Sequence, residues 1–277
     1  MSKDLLASMM HRDRTKALFG DSPPPPREHA AYPEGEIIYH LGNRYAVRHG
    51  DTVTKYTTFP PGMGRNPEPN EAVALRFIKE NTSIPEPKVF SCDWDRITME
   101  YVEGETLRDA WPQLTADQRS SILDQLKGYI SQMRNLSGTV LCRIDGEGAL
   151  VTGFFTRSGG PFRNMADFHN WLVRVPGALK PQSMFWHQVT AQLHDDYGIV
   201  FTHGDIAACN IMIRDGRIVA ILDWEAAGWY PEYWDYVNTM SGLDRIDWES
   251  LGSRLPSLFD KHYNLEYILM TFIHNIG

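Results

Sequence analysis

The chain has 277 residues, of which 42% are hydrophobic and 22% charged, with 22 Gly and 17 Pro. These proportions exclude collagen, coiled coil and wholesale disorder, and the length allows one large domain or two medium ones. A formal net charge of −8 opposes binding to a nucleic-acid backbone, suits a soluble monomer and tolerates a cationic ligand.

No apolar run reaches the roughly 18 residues needed to span a membrane, so no membrane partner is expected. The first residues are interrupted by Asp4, His11, Arg12 and Asp13 and lack the apolar core of a secretion signal. Cys92, Cys142 and Cys209 lie far apart in no metal-type spacing, which fits a reducing compartment. A cytoplasmic protein is therefore expected.

The pattern divides the chain into residues 1–30, 31–101 and 102–277. Residues 1–20 carry an amphipathic helical pattern, and Pro23-Pro24-Pro25-Pro26 follows as an extended spacer. Ile37-Ile38-Tyr39 reads as a strand. Tyr45–Arg48 and Thr52–Tyr56 flank His49-Gly50-Asp51 as a hairpin. Asn70 is in place to cap a helix over 70–81, with Glu71, Leu75 and Ile78 on one face. Lys88–Ser91 and Arg96–Tyr101 read as two more strands. Residues 31–101 thus give a small β-rich lobe with one helix.

Beyond Glu103-Gly104 the pattern turns mostly helical. Thr115 and Gln118 form a capping-box signature before a long helix whose buried stripe is Ile122, Leu126, Tyr129, Ile130 and Met133. Residues 138–162 are glycine-rich and irregular. Helices are expected near 163–176 and 182–195, and a last one over 258–276. Gly198–Phe201 is a short apolar strand. Asp215-Gly216 between two β-branched runs, Ile211–Arg214 and Arg217–Leu222, is a strong hairpin signal.

The chemistry concentrates in 203–225. Asp205 ends a strand, Asn210 follows five residues on, and Asp223 stands at the far end of the hairpin. A hairpin returns the chain to its start, so Asp223 comes back beside Asn210. Two carboxylates and an amide oxygen suit a hard cation such as Mg²⁺ shared with substrate phosphates. One carboxylate, Asp205, is then free to accept a proton. This is the phosphoryl-transfer pattern.

The segment HGDIAACN followed by LDWE resembles the aminoglycoside phosphotransferase and choline kinase superfamily. Within it, VFTHGD, NIMI and ILDWEAAGWYPEYWDY are similar to small fungal-type members of the aminoglycoside phosphotransferase family. The resemblance implies an α+β, bilobal protein-kinase-like fold with a larger, mostly helical second lobe. It implies that Asp205 is the catalytic base, that His203 braces its loop, and that Asn210 and Asp223 hold Mg²⁺. It places Lys55 on the phosphates of ATP with Glu71 as its partner, and Glu100 C=O and Val102 N–H on the adenine at a hinge. The acceptor it implies is a hydroxyl of a small molecule: an aminoglycoside-like amino sugar, an amino alcohol or a hydroxylated secondary metabolite.

The departures are specific. Leu41-Gly42-Asn43-Arg44 replaces a Gly-x-Gly-x-x-Gly lid, and Gly204 stands where protein kinases use Arg. About seven residues separate Asp223 from the next helix, with no Ala-Pro-Glu to clamp a peptide, so a protein substrate is disfavoured. Ala207-Ala208-Cys209 is small and apolar, and Cys209 has no basic neighbours to activate it. Several readings stay open at this level. Lys79 and Lys88 compete with Lys55, Glu71 also suits the helix dipole, and Asp235 suits a support for the helix or the His203 loop. Trp224, Trp229, Tyr230, Tyr233 and Trp234 fit either a core or a cage for a quaternary amine. A nucleotide-binding scaffold without turnover is the rival to an enzyme.

Overall fold

β-branched and aromatic residues alternating around short turns build the first half of the molecule. The computed structural model describes residues 34–41, 44–56, 68–93, 95–151, 157–174, 183–243 and 245–276. The expected N-terminal helix and proline spacer lie outside them. Strands β1 (Glu36–Leu41), β2 (Arg44–His49) and β3 (Thr52–Tyr56) form an antiparallel meander. Helix α1 (Asn70–Asn81) follows, then β4 (Val89–Asp93) and β5 (Arg96–Glu100). β5 inserts beside β3, giving one antiparallel sheet in the order β1-β2-β3-β5-β4.

Register and burial explain α1. Glu71, Leu75 and Ile78 are all buried, so the face read from their spacing is the face that packs. Asn70 is not its cap. Pro69 holds that position, and the Asn70 side chain reaches instead to the second half of the molecule.

The second half starts with β6 (Glu105–Thr106) and the short α2 (Leu107–Ala110). The long α3 (Ala116–Arg134) then runs beneath the strands. Thr115 and Gln118 close its capping box in both directions, and Ile122, Leu126, Ile130 and Met133 bury its apolar stripe. Residues 138–162 are less irregular than expected. They contain β7 (Cys142–Arg143), β8 (Ala149–Val151) and β9 (Arg157–Gly159), where β8 and β9 pair.

Helices α4 (Met165–Leu172) and α5 (Met184–Thr190) fall inside the expected spans but are shorter. Strand β10 (Ile199–Thr202) leads to a 3-10 turn at Ala208–Asn210 and the hairpin of β11 (Ile211–Arg214) and β12 (Arg217–Ile221). Asp215 and Gly216 both take positive φ, 52° and 70°, as a turn matched to strand twist requires. A second 3-10 turn, Trp224–Ala226, precedes β13 (Gly228–Pro231), which pairs with β10 and β7. β13 lies outside the sequence expectations, because the strand character of Trp229 and Tyr230 depends on pairing with β10 and β7.

Helices α6 (Trp234–Gly242), α7 (Arg245–Ser250), α8 (Leu255–Leu258) and α9 (Asn264–Ile276) complete the chain. The single last helix expected over 258–276 is broken: residues 259–263 leave the helix between α8 and α9. No helix among the described residues is long and apolar enough to cross a membrane.

The aromatic cluster is core. Trp224, Tyr230, Tyr233 and Trp234 are fully buried, and Tyr230 stacks on Trp234 at 5.1 Å. Phe168 packs edge-on against both, 6.5 and 5.6 Å away. Trp229 is partly buried and packs edge-on against Phe77 and Phe201, so among the described residues these rings form core rather than a cage for a quaternary amine. The Phe168→Ala substitution should cost about 3–5 kcal/mol, read from urea unfolding by fluorescence. A loss below about 1 kcal/mol would show that this cluster does not hold the second half together.

Candidate active site

The strand β10 carries the chain to His203 and Asp205, and buried polar contacts fix the loop that holds them. The carboxylate of Asp235, at the start of α6, accepts from Gly204 N–H (2.7 Å) and His203 N–H (3.2 Å) and is 2% exposed. Burial pushes its pKa up, and the two N–H donors offset part of that rise. Asn238, one helical turn on, donates to Gly204 C=O at 3.2 Å. The helix α6 therefore grips the loop from below.

Gly204 has φ +86°, and a Cβ there would sit 2.9 Å from both the Cβ and the carbonyl oxygen of Ala226. The loop packs directly on the turn after Asp223, which explains why no side chain replaces this glycine.

His203 is fully buried and tilted against Trp224 at 4.4 Å. Its Nδ1 accepts from Asp205 N–H at 3.1 Å, so Nε2 carries the proton and donates to Leu222 C=O at 3.0 Å. One imidazole thus ties the Asp205 loop to the residue before Asp223.

Asp205 is exposed at the end of this loop. Asn210 Nδ2 donates to both its carbonyl oxygen (3.0 Å) and its Oδ2 (3.1 Å). Protein around the cleft desolvates the Asp205 carboxyl and raises its pKa. The nearby Asp223 charge adds to the rise, while His203, Asn210 and Lys55 counter it. Leu222 N–H donates to Asn210 C=O at 2.7 Å, closing the hairpin so that Asp223 returns beside Asn210.

Asp223 has a left-handed backbone, φ 65° and ψ 55°, which for a non-glycine residue costs roughly 1–2 kcal/mol. That twist turns its carboxylate toward Lys55 on β3, and the two form a close ion pair. Lys55 Nζ also lies 2.8 Å from Glu71 Oε2 on α1 and 3.8 Å from Glu225 Oε2. The Lys55 and Glu71 side chains are only 12% and 4% exposed. Burial alone would lower the Lys55 pKa, but the charges of Glu71 and Asp223 outweigh it and raise it. Burial would raise Asp223, but Lys55 first, then Arg44, hold it below the usual carboxylate range.

Lys55 is therefore the buried cation of the site. Lys79 is exposed, and Lys88 is exposed beside Phe90. Glu71 serves as an ion-pair partner, not only as a first-turn charge. His203, Asp205, Asn210, Asp223, Lys55 and Glu71 all gather in one region.

Glu100 and Val102 sit apart from them, where β5 leaves the sheet. Tyr101 N–H bonds to Asp51 C=O at 2.9 Å and pins this crossover. Glu100 closes β5, its N–H donating to Lys88 C=O at 2.9 Å, and Val102 follows Tyr101 outside the strand. Both residues line a cleft of about 440 Å³, with Asp51, Glu86, Tyr101, Glu103, Arg214 and Val219.

Three residues escaped sequence reading. Glu225 joins Glu71 and Asp223 in a carboxylate cluster with ligand atoms within 4.8 Å of one another. Its position two residues after Asp223 was visible, but a loop glutamate carries no distinguishing pattern. Arg44 pairs with Glu225. Asn70 donates to the carbonyls of Glu225 and Ala227 (both 2.9 Å) and accepts from Asp145 N–H at 3.1 Å. Its cap signature masked this role. Cys209 lies beside Asn210, 3.6 Å from its Oδ1, and burial raises its thiol pKa, which fits an unreactive residue.

The donors offered by Asp205, Asn210 and Asp223 are all oxygen, and among the described residues Asn210 Oδ1 meets only the weak Cys209 thiol. That set fits a hard divalent cation such as Mg²⁺.

Comparison with known proteins gives the family and the fold. The family model described as "Phosphotransferase enzyme family" matches residues 42–261. None of the curated proteins matches the chain by sequence. The streptomycin-ATP-APH(2")-IIa ternary complex is similar over 95% of this chain and 84% of that chain, with TM-score 0.56 and 11% identity. Aminoglycoside phosphotransferase APH(4)-Ia gives TM-score 0.53 at 13% identity, over 96% and 89% of the two chains. ADP-bound APH(2'')-Ib gives TM-score 0.53 at 9% identity, over 97% of each chain. The architecture is thus the bilobal, protein-kinase-like α+β fold of those structures.

The opposed pKa shifts make a direct prediction. In carboxyl ¹³C NMR, Asp205 should titrate at higher pH than Asp223. In a Lys55→Met variant the Asp223 titration should move up, because its main favourable charge is gone. Asp223 is held low when folded, so its contribution to stability is present above the unfolded carboxylate pKa and is lost as pH falls through its folded value. The reverse order, or an Asp223 titration indifferent to Lys55, would contradict the ion pair.

Proposed function

The chain belongs to the phosphotransferase enzyme family, and from that premise we propose that it moves the γ-phosphoryl group of ATP to a hydroxyl of a small molecule. The observation that carries this reading is the joining of Asp205, Asn210 and Asp223 to Lys55 through one connected set of contacts.

Asp205 is the proposed base. It stands exposed at the end of a loop braced by His203 and Asp235, where an acceptor hydroxyl can reach it. Its pKa is raised by desolvation, which makes it a stronger proton acceptor than an ordinary carboxylate. The Asn210 amide, bonded to Asp205 twice, holds the carboxylate in one orientation.

Asn210 and Asp223 are the proposed ligands of Mg²⁺, which when bound neutralises charge on the phosphates. Lys55 carries the positive charge toward those phosphates, and Glu71 keeps it aimed by an ion pair that needs no nucleotide. Glu100 C=O and Val102 N–H offer an acceptor and a donor side by side at the chain crossover, suited to an adenine edge. Residues 31–101 form the nucleotide lobe in this reading, and 102–277 carry the acceptor side.

ATP as donor is supported by the similar structures described with ATP or ADP. A small-molecule acceptor is supported by the streptomycin complex, and by a further complex of APH(4)-Ia with ADP and hygromycin B, TM-score 0.50 and 14% identity. The acceptor of this chain is proposed as an amino sugar, an amino alcohol or a hydroxylated secondary metabolite, with a cytoplasmic monomer as the acting form.

Phosphate transfer to a panel of such acceptors, followed by ADP release, tests the proposal. Asp205→Ala should lower kcat by about 10²–10⁴-fold. Asp223→Ala should lower it at least as far, with a shifted Mg²⁺ requirement. Full turnover in Asp205→Ala would sink the assigned base. Tight ATP binding with no transfer to any acceptor would favour a scaffold without turnover.

A further inference from the structure

Two cations from neighbouring strands converge on one carboxylate oxygen. Arg44 Nη2, at the start of β2, pairs with Glu225 Oε2, and Lys55 Nζ on β3 lies 3.8 Å from that same oxygen. β2 and β3 are adjacent, with Ala46 opposite Lys55, so both side chains issue from one stretch of sheet. Lys55 is held in place by Glu71. The Arg44 side chain, by contrast, is 38% exposed, and Glu225 is 26% exposed. The pair therefore sits at the open rim of the cluster.

A guanidinium and an ammonium facing one anionic oxygen form the arrangement that holds a phosphate oxygen. The oxygen they face belongs to Glu225, whose main-chain carbonyl accepts from Asn70. The residues before β2 also lack the glycine-rich run whose main-chain N–H groups cover phosphates in protein kinases. A side-chain cation at the start of β2 supplies charge where that run would supply dipoles.

We propose that Arg44 and Lys55 form a two-cation bracket for the terminal phosphates of the nucleotide, and that Glu225 fills this bracket in the free protein as an internal phosphate surrogate. This rests on the phosphotransferase reading above. Nucleotide binding exchanges one ion pair for another: the Glu225 carboxylate releases Arg44, and phosphate oxygens take its place. No covalent bond changes. Glu225 then acts as a competitor that weakens nucleotide affinity, and Arg44 as a binding residue with no counterpart among the residues assigned from sequence.

Calorimetric titration of the full chain with MgATP, MgADP and AMP, without acceptor, tests the bracket. The variants are Arg44→Ala, Arg44→Lys, Glu225→Gln and the double variant, each checked for an intact thermal transition. Arg44→Ala should weaken MgATP binding about tenfold or more, with Arg44→Lys between it and the wild type. AMP, which lacks the terminal phosphates, should be nearly indifferent to Arg44. Glu225→Gln should tighten MgATP binding about 3–10-fold, and that gain should vanish in the double variant.

Two results would overturn the bracket. One is MgATP binding by Arg44→Ala as tight as by the wild type. The other is weakened MgATP binding in Glu225→Gln, which would make Glu225 a partner of the metal instead. Absence of any MgATP binding by the wild type would overturn the bracket and the phosphotransferase reading together.

Discussion

A single ammonium group ties the two halves of this molecule together. Lys55 stands on the sheet, Glu71 on the helix packed beneath it, and Asp223 on the loop leaving the far hairpin. Each group alone is expensive to hide from water, so none is stable there without the others. Removing Lys55 would leave carboxylates facing each other at short range in a poorly solvated cleft. The cluster is therefore a geometric constraint more than a source of stability: it fixes where the sheet sits relative to the loop that carries the oxygen donors.

The loops on the other side are constrained by hydrogen bonds rather than ion pairs. Asp235 spends both oxygens on the N–H groups of His203 and Gly204, and His203 spends both ring nitrogens on Asp205 N–H and Leu222 C=O. These bonds connect the segment before Asp205 to the segment before Asp223, so the two carboxylates cannot drift apart without breaking buried hydrogen bonds. The missing side chain at Gly204 lets the loops touch. The left-handed turn at Asp223 is the local strain this arrangement sustains. Asn70 extends the same logic to α1, because its buried amide joins the helix start to the loop around Glu225. The helix that holds Glu71 is thereby fastened to the loop that follows Asp223.

Much of this was legible in the sequence, for identifiable reasons. The hairpins were readable because Asp-Gly and His-Gly-Asp interrupt β-branched runs, and turn chemistry is local. Helix α3 was readable because its capping box and apolar period coincide. The convergence of Asp205, Asn210 and Asp223 was readable because a hairpin between the last two makes their spacing a statement about space. Where the reading fell short, long-range packing decided the outcome. Asn70 looked like a cap because cap preference is local, yet a distant loop offered its amide more bonds. β13 was missed because its strand character depends on pairing with β10 and β7. The break between α8 and α9 falls at Asp260-Lys261-His262, a polar interruption that a surface helix also tolerates. Arg44 and Glu225 carried no signal at all, since an arginine and a glutamate far apart in sequence become meaningful only when folding brings them together.

The central claim is spatial: oxygen donors from the Asp205–Asp223 segment share one divalent ion with the phosphates of a nucleotide. Electron–nuclear double resonance on the protein with Mn²⁺ and AMP-PNP measures this directly. The account predicts resolved ³¹P couplings on the protein-bound ion that disappear when Asp223 is replaced by Ala. Manganese bound with nucleotide present but showing no ³¹P coupling, or coupling unchanged by loss of Asp223, would contradict it.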